Sequence, residues 1–238
     1  MSQFGTLSSI RLDDPASWQD QLFLTFDFDW ARDEVLADTI DLVEQSGVAA
    51  TWFVTHSTNL LRRLRENPLF ELGIHPNFNP LLAGDSSARG KNASGIVRDL
   101  LELVPEARAV RSHSLAQSTP LANLFRQAGL VFECNDLIHF DSGIQLRPWL
   151  HWSGMVKIPF FWEDDVHFTC QWDCTMSQLK AMPGLKAFAF HPLHVFLNTD
   201  TVLRYEKAKK TSGDIAELRS LGNPGQGIRT ILQELLRC

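Results

Sequence analysis

The chain has few cysteines, no surplus of basic residues and no long uninterrupted apolar run, and each shortage excludes a class of protein. Its four cysteines, Cys134, Cys170, Cys174 and Cys238, are too few for a disulfide framework in 238 residues. Cys170 and Cys174 lack a second Cys or His pair at zinc-site spacing, so all four are expected to be free thiols. Lysine and arginine number 22 against 28 aspartates and glutamates, a net charge of −6, and no basic excess exists to neutralise nucleic-acid phosphates. The most apolar stretches, residues 22–30 and 186–196, are broken by acids or histidines and fall short of the roughly 18 residues of a membrane span. Residues 1–18 are polar, with neither a positive start nor an apolar core. Neither a signal peptide nor a transmembrane helix is therefore expected, and the default compartment is the cytoplasm. No internal repeat, low-complexity tract or shift in composition marks a linker.

What is present suits one sizeable core. Hydrophobic residues make up 44% of the chain, which excludes disorder, and α/β barrels reach this length as one domain, here taken over residues 1–238. Short runs with strand character alternate with longer helical ones. Strands are expected over residues 21–30, 50–55, 70–75, 107–113, 130–134, 156–162 and 186–191. Helices are expected over 33–45, 57–65, 93–103, 120–127, 201–209 and 228–237. This alternation points to βα units around a largely parallel sheet. The Gly-rich, polar stretch 211–224 commits to no shape.

The first strand concentrates chemistry at its end. Alternation along 21–30 puts Leu22, Leu24, Phe26, Phe28 and Trp30 on one face and Phe23, Thr25, Asp27 and Asp29 on the other. With the apolar face against outer helices, both carboxylates point into a barrel axis, where unpaired charge is costly and a cation is wanted. Two readings fit them. They hold a cation together, or one caps the helix beginning near Ala31 while the other meets an arginine.

Further candidates fall at other strand ends, where barrel active sites lie. His75 is followed at once by Pro76, and Asn79 lies four residues on, a spacing that can grip one ion on a turn; Asn77 and Asn79 equally suit turn residues beside prolines. His191 precedes Pro192 in the same way, with Ala187 and Ala189 leaving room on its face and His194 following. Either histidine also suits a hydrogen-bonded core position. Arg111 and His113 share a face of the strand 107–113, where Arg111 can meet Asp27 in a structural or a catalytic ion pair.

In order along the chain, Thr25-Phe26-Asp27-Phe28-Asp29, Ala50-Thr51-Trp52-Phe53-Val54, Gly73-Ile74-His75 with Asn79, Arg111, and Phe190-His191-Pro192 resemble the motifs of NodB-homology polysaccharide deacetylases. The resemblance covers roughly residues 22–198 and is that of a divergent, carbohydrate-esterase-type member similar to those of O-antigen and surface-polysaccharide loci. It implies an irregular (β/α) barrel with about seven parallel strands and removal of acetyl groups from N-acetylated sugars with one divalent ion, zinc first, then cobalt or manganese. By the same resemblance Asp27 is the general base, Arg111 orients it, and His191 is the general acid. Asp29, His75 and Asn79 are the metal ligands, Asn79 standing where the family has a second histidine. His113 is a possible replacement ligand. The Pro-Tyr that usually follows the arginine is replaced by His113 and Ser114, and Ser114 can present its backbone N–H to an oxyanion. Trp162 with Asp164 or Asp165 is the nearest match to the acid and tryptophan that buttress the histidine.

Beyond the fifth strand, Arg147, Trp149 and Trp152 suit a sugar-stacking platform or a local mini-core. The expected partner is an acetamido-sugar substrate of a surface polysaccharide or its precursor, not nucleic acid. A related hydrolase of formyl or other non-peptide amides and a catalytically silent carbohydrate-binding relative are the competing readings.

Overall fold

Ten strands carry the structure, a computed structural model that describes residues 4–85, 91–211 and 214–237. They are β1 (Phe4–Gly5), β2 (Leu22–Asp27), β3 (Ala50–Val54), β4 (Phe70–Ile74), β5 (Ala109–Val110), β6 (Phe132–Glu133), β7 (Trp149–Leu150), β8 (Val156–Lys157), β9 (Trp162–Glu163) and β10 (Lys186–Phe190). The sheet runs β7-β8-β6-β5-β4-β3-β2-β10-β9, with β1 added beside β2. Every pairing is parallel except that of β7 with β8, so the sheet is mixed only at one edge. It curls into a half-barrel clothed by helices, the α/β architecture expected from the alternation of elements.

The central strands form where the sequence is most apolar. All six residues of β2 are buried, as befits a parallel strand covered on both faces. Its outward side stacks Phe26 on Trp52 of β3, with ring centroids 4.3 Å apart, and on Phe190 of β10 at 5.8 Å. The inward side carries Thr25, whose hydroxyl donates to the Phe188 carbonyl at 2.7 Å, and then Asp27. Helix α1 (Asp33–Ser46) buries Val35, Leu36, Ile40 and Val43 and ends at Gly47, whose φ of 63° is the left-handed stop that glycine adopts without a Cβ penalty. It packs on α8 (Pro192–Leu197), which in turn contacts α11 (Ile228–Leu236).

Several boundaries differ from the sequence reading. β2 ends at Asp27 rather than residue 30, because Asp29 and Trp30 turn the backbone into left-handed conformation, with φ of 44° and 56°. The run 156–162 divides into β8 and β9, which sit at opposite ends of the sheet, separated by Ile158-Pro159-Phe160-Phe161. The expected strand 107–113 pairs as β5 only over Ala109–Val110, although Arg111 still donates its N–H to the Ile74 carbonyl at 3.2 Å. α2 (Leu60–Glu66) starts three residues later than expected, and the open stretch 211–224 contains α10 (Ile215–Ser220). Helices α3 (Asn79–Leu82), α6 (Asp164–Cys170) and α7 (Met176–Ala181) complete the loops around the sheet, beside α4 (Ala93–Leu103), α5 (Thr119–Gln127) and α9 (Val202–Lys209). Cys134, Cys170 and Cys174 are free thiols, and Cys238 lies outside the described residues. No helix among the described residues is long and apolar enough to cross a membrane.

Candidate active site and metal centre

The carboxyl ends of β2, β4, β5, β9 and β10 converge on one cluster of acids, histidines and a single arginine. Asp27, the last residue of β2, is almost fully buried, and its Oδ1 accepts from Arg111 Nη1 at 2.9 Å. Arg111 is held on all sides. Its Nε donates to the Cys134 carbonyl, its Nη2 to Cys134 Sγ, and its guanidinium lies between the Phe53 and Phe160 rings, 4.7 and 4.5 Å from their centroids. Burial alone would lower the arginine's pKa; the charge of Asp27 and the contacts with Cys134 outweigh it and push the pKa up. A guanidinium pinned in this way leaves Asp27 little freedom to rotate. The second oxygen, Oδ2, faces the histidines, 3.9 Å from His75 Nδ1 and 4.0 Å from His191 Nε2.

Asp29 reaches the same place from the turn after β2. Its Oδ1 lies 3.1 Å from His75 Nε2 and 3.1 Å from His113 Nδ1, and those two nitrogens are 3.4 Å apart. Burial would raise the Asp29 carboxyl, but hydrogen bonds from His113 and His75 and the charge of His191 hold it well below the usual carboxylate range. The loop after β5 bends as sharply as the turn after β2: Ser114 and Leu115 have φ of 55° and 54°. Left-handed backbone costs a non-glycine residue roughly 1–2 kcal/mol, and four such residues at one cluster are held there by the packing around them.

His191 is the third corner. It follows β10 and caps α8, whose first residue, Pro192, needs no N–H partner. Its Nδ1 lies 2.7 Å from Asp164 Oδ1 and its backbone N–H donates to Asp164 Oδ2 at 2.7 Å, which leaves Nε2 free to face the site, 3.6 Å from Asp29 Oδ2. Burial would lower the imidazole, but the charge and hydrogen bond of Asp164 raise its pKa well above the ordinary value. Burial pushes Asp164 itself up to about 6 against the pull of His191. Trp162, fully buried, packs its ring 4.9 Å from Phe190 and so supports the strand that carries His191. Asp165 stays on α6, where its N–H donates to Asp164 Oδ1.

Asp27, Asp29, His75, Arg111, His113, Asp164 and His191 thus meet. Asn79 begins α3 and turns its amide nitrogen to Ser114 Oγ at 3.0 Å, so two of the sequence candidates bond to each other beside the cluster. Arg147, Trp149 and Trp152 do not join it. Trp149 lies on the antiparallel edge strand β7, Trp152 is largely exposed, and none of the three lines either cavity next to the cluster.

Two groups escaped the sequence reading. Glu163, on β9, offers a ligand atom within 4.8 Å of those of Asp27 and His191, and burial followed by the charge of Asp165 pushes its pKa up to about 8. Only its place one residue before Asp164 signalled it. Trp30, assigned by strand alternation to the outer apolar face, instead stands at the cavity mouth because the strand stops before it.

Asp29, His75 and His113 suit a divalent ion. Nitrogen or oxygen donors about 2.0–2.1 Å from a tetrahedral zinc stand about 3.3 Å from one another, close to the 3.1, 3.1 and 3.4 Å here. The other two groups of possible ligands, Asp164 with His191 and His194, and Asp27 with Glu163 and His191, are engaged internally by the Asp164–His191, His194–Thr199 and Asp27–Arg111 contacts.

The sequence matches the WbmS-like polysaccharide deacetylase family over residues 24–209, and the chain belongs to that family. A crystal structure from Bordetella bronchiseptica, of a candidate polysaccharide deacetylase involved in O-antigen biosynthesis, is 46% identical, covers 98% of this chain and 97% of its own, and superposes with a TM-score of 0.93. A second candidate polysaccharide deacetylase, from Mycobacterium smegmatis, shares the fold at 16% identity, with a TM-score of 0.50 over 77% of this chain and 80% of its own. A search of curated protein sequences gives no match.

Proposed function

We propose that this polysaccharide deacetylase removes the N-acetyl group of an acetamido sugar, in a surface polysaccharide or its precursor, with one divalent metal ion. The observation that carries the reading is that Asp29, His75 and His113 form one donor triangle flanked by two differently prepared proton carriers, Asp27 on Arg111 and His191 on Asp164. The O-antigen role ascribed to the Bordetella protein supports the choice of substrate.

Asp29, His75 and His113 would hold the ion, with Asn79 beside them through Ser114. When bound, a divalent ion supplies Lewis-acid polarisation of the amide carbonyl and lowers the pKa of water toward about 7; zinc suits this mixed carboxylate and imidazole set best, with cobalt or manganese tolerated. Asp27 takes the proton of the attacking water on Oδ2, since Oδ1 is committed to Arg111. Arg111 keeps that carboxylate oriented. His191, kept protonated by Asp164, gives its Nε2 proton to the departing amine, a poor leaving group until protonated. The backbone N–H of Ser114, in its left-handed turn next to His113, would steady the oxyanion.

The test is acetate release from a panel of acetamido sugars together with zinc analysis. Asp27→Asn and His191→Ala are each expected to lower turnover by at least about a hundredfold, the low end for a positioned acid or base. His75→Ala should lose zinc first. Formate release from formamido sugars in place of acetate would replace the reading with a deformylase. A wild-type chain that binds no divalent ion and releases neither acid would overturn it.

A further inference from the structure

Two cavities flank the donor triangle, and one residue joins them. The first, about 370 Å3, is lined by Asp29, His113 and His191 together with Leu193, Tyr205 and Leu218. The second, about 470 Å3, opens beside His75 and is lined by Thr55, Asn77, Asn92 and Leu81. Each has the size of a small-ligand site. Trp30 lines both.

Trp30 is placed for contact rather than for packing. It is 47% exposed in a chain whose other tryptophans near the barrel centre, Trp52 and Trp162, are wholly buried. Its backbone N–H donates to Thr55 Oγ1 at 3.1 Å, and its ring meets that of His113 nearly at right angles, with centroids 5.1 Å apart and planes at 80°. The ring sits immediately beside the triangle, since His113 Nδ1 is itself 3.1 Å from Asp29 Oδ1. A half-exposed indole that shares a cavity with the side-chain amides of Asn77 and Asn92 offers what a pyranose needs, an apolar plate for its C–H face and donors and acceptors for its hydroxyl edge.

We propose that Trp30 is the platform on which the glycan stacks, with the acetamido ring in the Asp29 cavity and the next ring continuing over the indole into the Asn77 cavity, so that the ligand is an oligosaccharide of at least two rings. This rests on the deacetylase reading above and adds to it the length of the ligand and the residue that measures it. Trp30 is a binding residue here and takes no part in proton transfer.

The experiment compares N-acetylglucosamine with its disaccharide as substrates of the zinc-loaded full chain, wild type against Trp30→Ala and Trp30→Phe. The wild type is expected to show a KM at least about fivefold lower for the disaccharide. Trp30→Ala should raise the disaccharide KM at least about tenfold, the effect of deleting one well-used aromatic anchor, so that the two values converge, while Trp30→Phe restores most of the difference. Bound zinc should remain one ion per chain in all three. The proposal is overturned if Trp30→Ala keeps the preference for the longer sugar, or if it loses zinc, which would make Trp30 a prop for His113. Wild-type protein that deacetylates neither sugar speaks against these sugars as substrates of the proposed reaction instead. Calorimetric binding of the disaccharide then decides for Trp30: weaker in Trp30→Ala supports the platform, and equal or absent in both overturns it.

Discussion

At the scale of single residues, the site works by giving chemically similar groups different surroundings. Asp29 is hydrogen-bonded by histidines and held ionised, whereas Glu163, close by, is buried among acids with its pKa pushed up to about 8. That contrast has a consequence for stability. Between about pH 4.5 and pH 8 an unfolded Glu163 is ionised while the folded one keeps its proton, so the folded state binds more protons and stability falls as pH rises through that window. Glu163→Gln removes the dependence. The variant is expected to gain at least about 1 kcal/mol over wild type on going from pH 5 to pH 8, read from urea unfolding at the two values. An equal difference at both values would show that Glu163 ionises in the fold. Asp27, Asp29, His75 and His191 were visible in the sequence because each stands at or just past the end of a strongly patterned strand, and Arg111 because it follows the short apolar run Ala109–Val110. Glu163 and Trp30 were not: Glu163 lies just past the expected strand 156–162, and alternation along the expected strand 21–30 put Trp30 on the outer apolar face.

At the scale of elements, close approach of β4 to its neighbours sets how accurately the triangle is drawn. Gly73, two residues before His75, leaves no room for a side chain: a Cβ there would lie 2.8 Å from the Ala109 carbonyl oxygen and 2.8 Å from the Phe53 ring. Gly73→Ala must therefore push β4 away from β5 or displace Phe53, which packs on Arg111. Overpacking of this kind typically costs about 1–3 kcal/mol. A fall of that size in unfolding free energy, with weakened zinc retention, is the expected outcome, and an unchanged urea midpoint would show that β5 yields freely. The strands themselves were legible where they are long and apolar, as in β2, β3, β4 and β10. The two-residue strands β5, β6, β8 and β9 were overextended or merged, because their pairing is decided by which neighbour reaches them and leaves little trace in period.

For the whole molecule, an ion held by the same donor triangle would be linked to folding. A ligand bound only by the folded chain stabilises it by RT ln(1 + [L]/Kd), about 2.7 kcal/mol at a hundred times Kd. Zinc is accordingly expected to raise the melting temperature of chelator-treated protein by several degrees and to restore acetate release, and His113→Ala should lose most of the zinc-dependent shift. A shift fully kept in His113→Ala would return the third ligand position to Asn79.

The long central strands, their alternation with helices and the candidate site residues at their ends are written in local pattern, because burial on both faces demands continuous apolar runs and turns demand proline, glycine and asparagine. The meeting of Asp29 with His113, 84 positions apart, and the exposure of Trp30 are not. Both depend on where two left-handed turns stop their strands, and that is settled by contacts between distant segments, to which a reading of neighbouring residues is blind.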